Sequence, residues 1–400
     1  MSLLSVDDAL ARVLDGIAPL AAETIPLAQA DGRVLAEPIL ARRDQPPFSS
    51  SVMDGYALRS TDAAIGATLN QVGVSQAGAR YSGTVGPGEC VRIFTGAPIP
   101  DGADAVIMQE ETKASGSSIT LNAKVSASQN IRPQGYDFRD GQAVLPIGTV
   151  LGPATLALAA SANAAQCKVV RRPIVALVAT GDELVAPGET PGPDQIVSAN
   201  SVALAALCAR AGAEVRDLGI VRDDPASLAQ TFEAALSGGA DILVTTGGAS
   251  VGEHDFVQAA LKEIGVDIGF WRIAMRPGKP LMFGRRGQSL VFGLPGNPVS
   301  AIATAMVFVV PPLHALLGRP QTQWGRLPLL GNLPANGIRR QFIRARYGFE
   351  EHGERAIIPA PAGDSGHLSS LAQAEAFIVQ PENDEGKSNG DFVQVIPLDS

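Results

Sequence analysis

The chain has 400 residues, 40 of them acidic and 31 basic, for a formal charge of −9, and 46% are hydrophobic. These proportions exclude a largely disordered or fibrous protein, and an acidic chain without basic runs is a poor non-specific binder of nucleic acid or membrane. The length favours two or three domains, while 43 Gly, 29 Pro and only 5% aromatics predict many tight turns around aliphatic cores.

Ser5 is placed to cap a helix whose apolar residues Val6, Ala9, Leu10, Val13, Leu14 and Ile17 fall at helical spacing. From about residue 24 to 170 the pattern is mostly β. Short runs such as Gln71–Val74, Cys90–Phe94, Ala105–Met108 and Ser118–Leu121 alternate with turn-forming clusters. From about 171 strands and helices alternate. Ile174–Ala179 reads as a strand buried on both faces, and Asn200 begins a helix ending near Gly212. Glu214–Val221 is a strand, Pro225 opens a helix, and Asp241–Thr246 is a second buried strand. A helix over Phe256–Ile264 and strands at Phe270–Ala274, Pro280–Phe283 and Ser289–Phe292 follow. Asn297 and Pro298 serve as cap and first-turn proline of an apolar helix to Val310. The alternation predicts a mostly parallel α/β sheet, and the last 80 or so residues a small barrel or sandwich.

The start carries acids where a signal peptide would be apolar. The longest apolar stretch, Ile302–Val310, stops at Pro311-Pro312, short of a bilayer span, so a cytoplasmic protein is expected. Three distant cysteines and four histidines without paired spacing argue against disulfides and zinc.

In an open α/β sheet, ligands sit beyond the carboxyl ends of the strands. Three loops after predicted strands hold the polar residues: Thr180 to Glu183, Gly247 to Asp255, and Gly293 to Pro298. Glycines and helix starts in these loops suit an anion. Arg272, Arg276 and Lys279 lie on one short Pro-Gly-Pro-bounded segment. If the strand persists to Arg276, residues 272 and 276 share a face. Glu183, Asp223, Asp224 and Asp255 follow strands, where oxygen ligands could hold Mg²⁺; Asp224, before Pro225, could equally cap a helix.

The segments SVMDGYA, FTGAPIPDGADAVIMQEE, ATGDEL, TTGGASVGEHDF, MRPGKP and GLPGNPVSA, in that order, resemble the MoeA family of molybdopterin molybdenumtransferases. The gephyrin E domain and its plant counterpart are similar. The likeness runs from about Val6 to Leu398. It implies a multidomain α/β and β fold: an N-terminal β-rich part over 1–170 with a lobe at about 45–138, a central α/β molybdopterin-binding domain over 171–318 with a parallel-type sheet, and a C-terminal β-barrel over 319–400.

The activity so implied is insertion of molybdenum from molybdate into adenylylated molybdopterin with release of AMP. It would depend on Mg²⁺ and take place in a homodimer, with transient contacts to molybdopterin adenylyltransferase and molybdoenzyme chaperones. By the same resemblance Gly247, Gly248, Ser250, Asp255, Arg272, Arg276, Lys279 and Pro280 form the substrate pocket. Glu183, Asp223, Asp224 and Asp255 are the metal-side acids. Asp54, Thr95, Arg132 and Asp137 reach the partner's cleft, and Pro295 and Pro298 shape the third loop. Arg344, in second place Arg340, and Ser365 lie on the molybdate side. The chain departs from the family where Ser49 and Ser50 replace an acid and an amide, where Arg276 replaces a frequent lysine, and where Glu375 replaces an asparagine. Two rival readings are an adenylyltransferase, which shares the central domain, and a non-catalytic scaffold.

Overall fold

The computed structural model describes residues 3–247, 256–320, 324–361 and 364–398. The chain divides into two compact units, Glu23–Val169 and the remainder, Met1–Ala22 with Val170–Ser400.

The Glu23–Val169 unit has more than one core. In one, Leu35, Ile39, Phe138, Leu145 and Leu151 pack against a helix over Pro153–Ser161. That helix departs from the β pattern expected up to residue 170. Its sequence, PATLALAAS, is apolar on all sides and shows no stripe at helical spacing, although Pro153 sits at its first turn. The other part is a six-stranded sheet in the order Ala105–Met108, Gly55–Leu58, Glu89–Ile93, Thr68–Ser75, Ser118–Leu121, Thr112–Ser115. Alternation along the strands puts Tyr56 and Leu58 in one buried cluster and Ala57 in another, so both faces of this sheet are covered.

The larger unit is built on a second six-stranded sheet, ordered Glu214–Val221, Ile174–Thr180, Ile242–Thr246, Ser289–Leu294, Pro280–Arg286, Asp267–Arg272. The first four strands are parallel, Pro280–Arg286 runs antiparallel to Ser289–Leu294, and Asp267–Arg272 is antiparallel to Pro280–Arg286 in turn. Successive residues of Ile174–Thr180 serve opposite faces. Val175 and Leu177 meet the helices Val6–Leu14, Asn200–Arg210 and Pro298–Phe308, whereas Ala176 and Val178 meet Pro225–Ser237 and Phe256–Glu263. This two-sided burial is why the strand reads as an unbroken apolar run.

The first helix follows its predicted cap, with the Ser5 hydroxyl accepting the Asp8 N–H at 3.1 Å. Its buried face, Val6, Ala9 and Val13, lies in the core of the larger unit. Grouping residues 1–170 as one part therefore does not describe the packing of the first 22.

The stop predicted at Pro311-Pro312 is also corrected. The prolines occupy the first turn of a further helix, Val310–Leu316, where a missing N–H costs nothing. The combined stretch Pro298–Leu316 is long and apolar enough to cross a membrane, but 72% of it is buried inside this unit, as a core helix requires.

The C-terminal strands form a mixed sheet in the order Met275–Arg276, Arg340–Phe349, Ala376–Gln380, Phe392–Pro397, Gly325–Pro328, with Arg355–Pro359 also on Arg340–Phe349. A bridge from Leu329 to Ile357 joins the ends and closes the expected barrel. Arg340 clamps this barrel to the first helix. Its guanidinium donates to both Asp7 carboxylate oxygens at 2.7 and 2.8 Å and to Glu382 at 3.2 Å.

The Arg340 hydrogen bonds hold the Asp7 carboxyl below its ordinary range. A depressed carboxylate stabilises the fold above its unfolded pKa, about 3.9, and that contribution is lost as pH falls through the folded value. Because Asp7 is largely exposed, solvent discounts the pair. Arg340→Ala is nevertheless expected to cost about 2 kcal/mol at pH 7, much of it from the partly buried Glu382 left unpaired. Urea unfolding at pH 7 and pH 3 should show the gap from wild type narrowing at the lower pH. An unchanged gap would remove Asp7 from the clamp.

Candidate active site

After Ile174–Thr180 the chain crosses to one side of the sheet, to Glu214–Val221, and then returns to the other, to Ile242–Thr246. Such a reversal opens a crevice at the carboxyl ends of the two central strands. A cavity of about 640 Å³ lies there, lined by Thr180, Thr246, Gly247 and the Pro295–Pro298 loop.

Gly247 is required at this point. Its φ is +90°, and a Cβ would stand 2.2 Å from the Thr180 carbonyl oxygen. Arg272 and Lys279 supply positive charge, and Glu183 the acid. One wall is apolar: Leu184–Val185 pairs with Ile196–Val197, and Leu184, Ile196 and Val197 face the space together with Leu368. The Asn200 side chain donates to the Gly296 carbonyl at 2.8 Å and ties the third loop to the helix start opposite.

A second cavity, about 760 Å³, shares Lys279, Pro280 and Asn297 with the first. It is the more basic of the two. Arg276, Arg339 and Arg344 stand beside Lys279, against the single acid Asp364 among the described residues. Gly278, at φ +105°, has no room for a side chain, since a Cβ would meet the Thr304 methyl at 2.4 Å. The close-packed turn at Gly278 precedes Lys279, which lines both spaces.

Arg272 and Arg276 do not share a face. The strand ends at Arg272, Ile273 bridges to Leu4, and Met275–Arg276 joins the barrel sheet instead. Arg272 therefore lines the first cavity and Arg276 the second. Period-two counting fails because the chain changes sheets within the segment.

Arg344 is buried, and it donates to the carbonyls of Asp364 and His367, each at 3.3 Å, so it grips the turn that carries Ser365. Arg340 is committed to the clamp described above. Sequence reasoning missed Arg339, Asn332 and Gln341 of the second cavity; no local pattern marks them, because barrel closure alone brings them there.

Among the acids, Asp223 lies beside Asp182 and Glu183. Burial and these two like charges push its carboxyl above its ordinary range. Asp224 caps the helix Pro225–Ser237, accepting the Ser227 N–H at 3.0 Å, and its carboxyl is held low by Ser227. Gly248, Ser250 and Asp255 lie outside the described residues.

In the Glu23–Val169 unit, the Asp54 carboxylate accepts the Thr95 N–H at 2.7 Å and its hydroxyl at 2.9 Å. These bonds hold the Asp54 carboxyl below its ordinary range. Ile131–Arg132 pairs with Ser50–Ser51, which places exposed Arg132, and Asp137 in the following turn, on the same lobe. Ser49 accepts the Gln134 N–H at 3.3 Å and Ser50 is buried, so these two replacements serve the loop's own structure.

A parallel α/β sheet with a cationic crevice at its switch point, a second basic cavity beside it and a closed barrel define a multidomain anion-handling protein. Three family models cover nearly the whole of it: the MoeA N-terminal region (domain I and II) over 4–163, a probable molybdopterin-binding domain over 176–315, and the MoeA C-terminal region (domain IV) over 326–398. The chain is 36% identical over 99% of its length, and 99% of the relative's, to the molybdopterin molybdenumtransferase of Haemophilus influenzae. It is 35% identical to that of Bacillus subtilis, over 98% of this chain and 94% of the other. The crystal structure of the molybdopterin biosynthesis MoeA protein of Pyrococcus horikoshii OT3 superimposes with a TM-score of 0.84 at 31% identity, over 98% of this chain and 99% of the other. The chain belongs to the MoeA family.

Proposed function

We propose that this protein is a transferase of molybdenum cofactor biosynthesis, inserting molybdenum from molybdate into adenylylated molybdopterin and releasing AMP. The name shared by its full-length relatives supports the reaction class. The observation that carries the finer reading is the pair of adjoining cavities with Lys279 common to both. The first combines cations with an apolar wall, which suits an organic phosphate carrying a flat ring. The second is basic and polar, which suits a tetrahedral oxyanion.

Both substrates are anions, so bringing them together is opposed by charge. Arg272 holds the phosphate side, Arg276 the oxyanion side, and Lys279 offsets charge on both as they approach. Fixed charge of this kind, in a site that need not reorganise, usually contributes more to catalysis than any other single effect. No side-chain nucleophile is called for. The substrate's two dithiol sulfurs form the Mo–S bonds as one molybdate oxygen leaves as water with their two protons, and a water cleaves the pyrophosphate link to release AMP. Pro280, Pro295 and Pro298 stiffen the loops that aim these groups.

The acids fit Mg²⁺. Their donors are hard carboxylate oxygens, and the crowding of Asp223 by Asp182 and Glu183 is what a divalent cation would relieve. Among the described residues no three His, Cys, Asp or Glu side chains converge as a cage. Mg²⁺ does not need one, since it commonly binds through one or two carboxylates plus substrate phosphates. Glu183 and Asp223 would hold it, with Asp255 as the further candidate, and bound there it would neutralise phosphate charge.

We also place the protein in the cytoplasm as a homodimer, with Asp54, Thr95, Arg132 and Asp137 serving the partner's cleft. Transient contacts with an adenylyltransferase and with molybdoenzyme chaperones belong to the same reading. The test is to incubate purified protein with adenylylated molybdopterin, molybdate and Mg²⁺. Molybdenum cofactor and equimolar AMP are expected; formation of adenylylated product from molybdopterin and ATP instead would establish the adenylyltransferase reading. An inactive Lys279→Ala protein mixed with an inactive Asp54→Ala protein should regain activity if the cleft is shared, and no recovery would place both residues in one chain's site.

A further inference from the structure

The start of the helix Pro298–Phe308 is unusual. Asn297 stands at the cap position, where an asparagine side chain ordinarily accepts an N–H of the first turn, yet it makes no such bond. Its amide instead donates to the Ser365 hydroxyl oxygen at 3.0 Å. The first-turn N–H of Val299 is satisfied from the same residue, by the Ser365 carbonyl at 3.1 Å. Arg344 holds the flanking carbonyls of Asp364 and His367. One turn is thus fixed from three sides, and Asn297 and Ser365 both line the basic cavity.

A hydroxyl that accepts from an amide has its own proton to give elsewhere. We propose that Asn297 is a positioning residue: by donating to the Ser365 oxygen it directs the Ser365 hydroxyl proton into the second cavity, as a hydrogen bond for a tetrahedral oxyanion. The helix gives up a side-chain cap to do this. The missing cap costs little, because Pro298 has no N–H and Val299 is already satisfied. The inference rests on reading the second cavity as the molybdate side.

The experiment measures molybdate binding directly, by titration calorimetry on the intact protein without the organic substrate. Ser365→Ala and Asn297→Ala should each weaken binding about tenfold, and the double variant should be no weaker than either, because the two act through one hydrogen bond. Asn297→Asp keeps the shape but can only accept at neutral pH. It should turn the hydroxyl away from the cavity and bind more weakly than Asn297→Ala. Because the new carboxylate also repels an oxyanion, the loss should be clearly smaller when the same change is made in Ser365→Ala, and an equal loss there would assign the effect to charge alone. If Asn297→Ala lowers the melting temperature, this near-isosteric variant carries the test. In turnover, KM for molybdate should rise while KM for adenylylated molybdopterin stays within about twofold of wild type. Wild-type affinity in Asn297→Asp, additive losses in the double variant, or a wild-type protein that binds no molybdate would overturn the assignment. Molybdate binding with these differences, but without molybdenum insertion, would refute the transferase reading and leave the role of Asn297 standing.

Discussion

Replacing Lys279 by alanine is expected to reduce molybdenum insertion about a hundredfold or more while the melting temperature stays at the wild-type value. Lys279 is exposed and lines both cavities, and among the described residues it pairs with no carboxylate, so its removal takes no structural partner away. It does remove a cation common to the two anions. At roughly 4 Å a unit charge interacts with another by about 4 kcal/mol at an effective dielectric of 20, so loss of one such contact spans the expected effect. Lys279→Arg should recover activity only partly, because a planar fork cannot replace a compact charge reaching two sites. The measurement is kcat/KM for AMP release, with a melt on the same preparation; wild-type turnover in the alanine variant would take Lys279 out of the mechanism.

Gly247→Ala should act on fold and activity together. The left-handed backbone at φ +90° costs a non-glycine residue on the order of 1 kcal/mol. The clash with the Thr180 carbonyl adds about 1–3 kcal/mol, because the obstacle is backbone at the end of a buried strand and cannot swing aside. A total destabilisation of about 3 kcal/mol is expected, read as a lower urea midpoint. Insertion should fall as well, since the move separates the two strand ends that form the crevice floor. Unchanged stability would mean that the strand ends are looser than their close approach indicates.

Elements buried on two faces were legible in the sequence. Ile174–Ala179 appears as an unbroken apolar run, and Ile242, Leu243 and Val244 open the next strand in the same way, because helices cover the sheet on both sides. The threonines come only at the carboxyl ends, where Thr180 and Thr246 line the crevice. The first helix was equally clear, since one face is buried and the other wet. The helix Pro153–Ser161 was not legible: residues apolar all round carry no period to read. The end expected at Pro311-Pro312 failed for a different reason, since proline stops a helix only from within and opens the next one at no cost.

The site divides in the same way. Which residue types gather in three glycine-bearing loops, and that their chemistry is suited to anions, followed from order along the chain. Which of them face the same space did not. Arg272 and Arg276 are four residues apart and line different cavities, because the chain leaves one sheet for another between them. Asn297 carries the signature of a helix cap and makes a different bond, because Ser365, 68 residues away, is folded against it. Asp223 and Asp224 are neighbours in sequence with opposite environments, one crowded by acids and the other capping a helix.

The acidic, glycine- and proline-rich, aromatic-poor sequence determined by itself the alternation of elements and the family. Both are recorded locally, in runs, periods and motifs of a few residues. Only the tertiary structure decided that the cations are shared between two cavities, that Lys279 and Asn297 stand where these meet, and that the first 22 residues pack with the larger unit. Those are properties of sheet order and barrel closure. They join residues tens to hundreds of positions apart, and no local pattern carries that information.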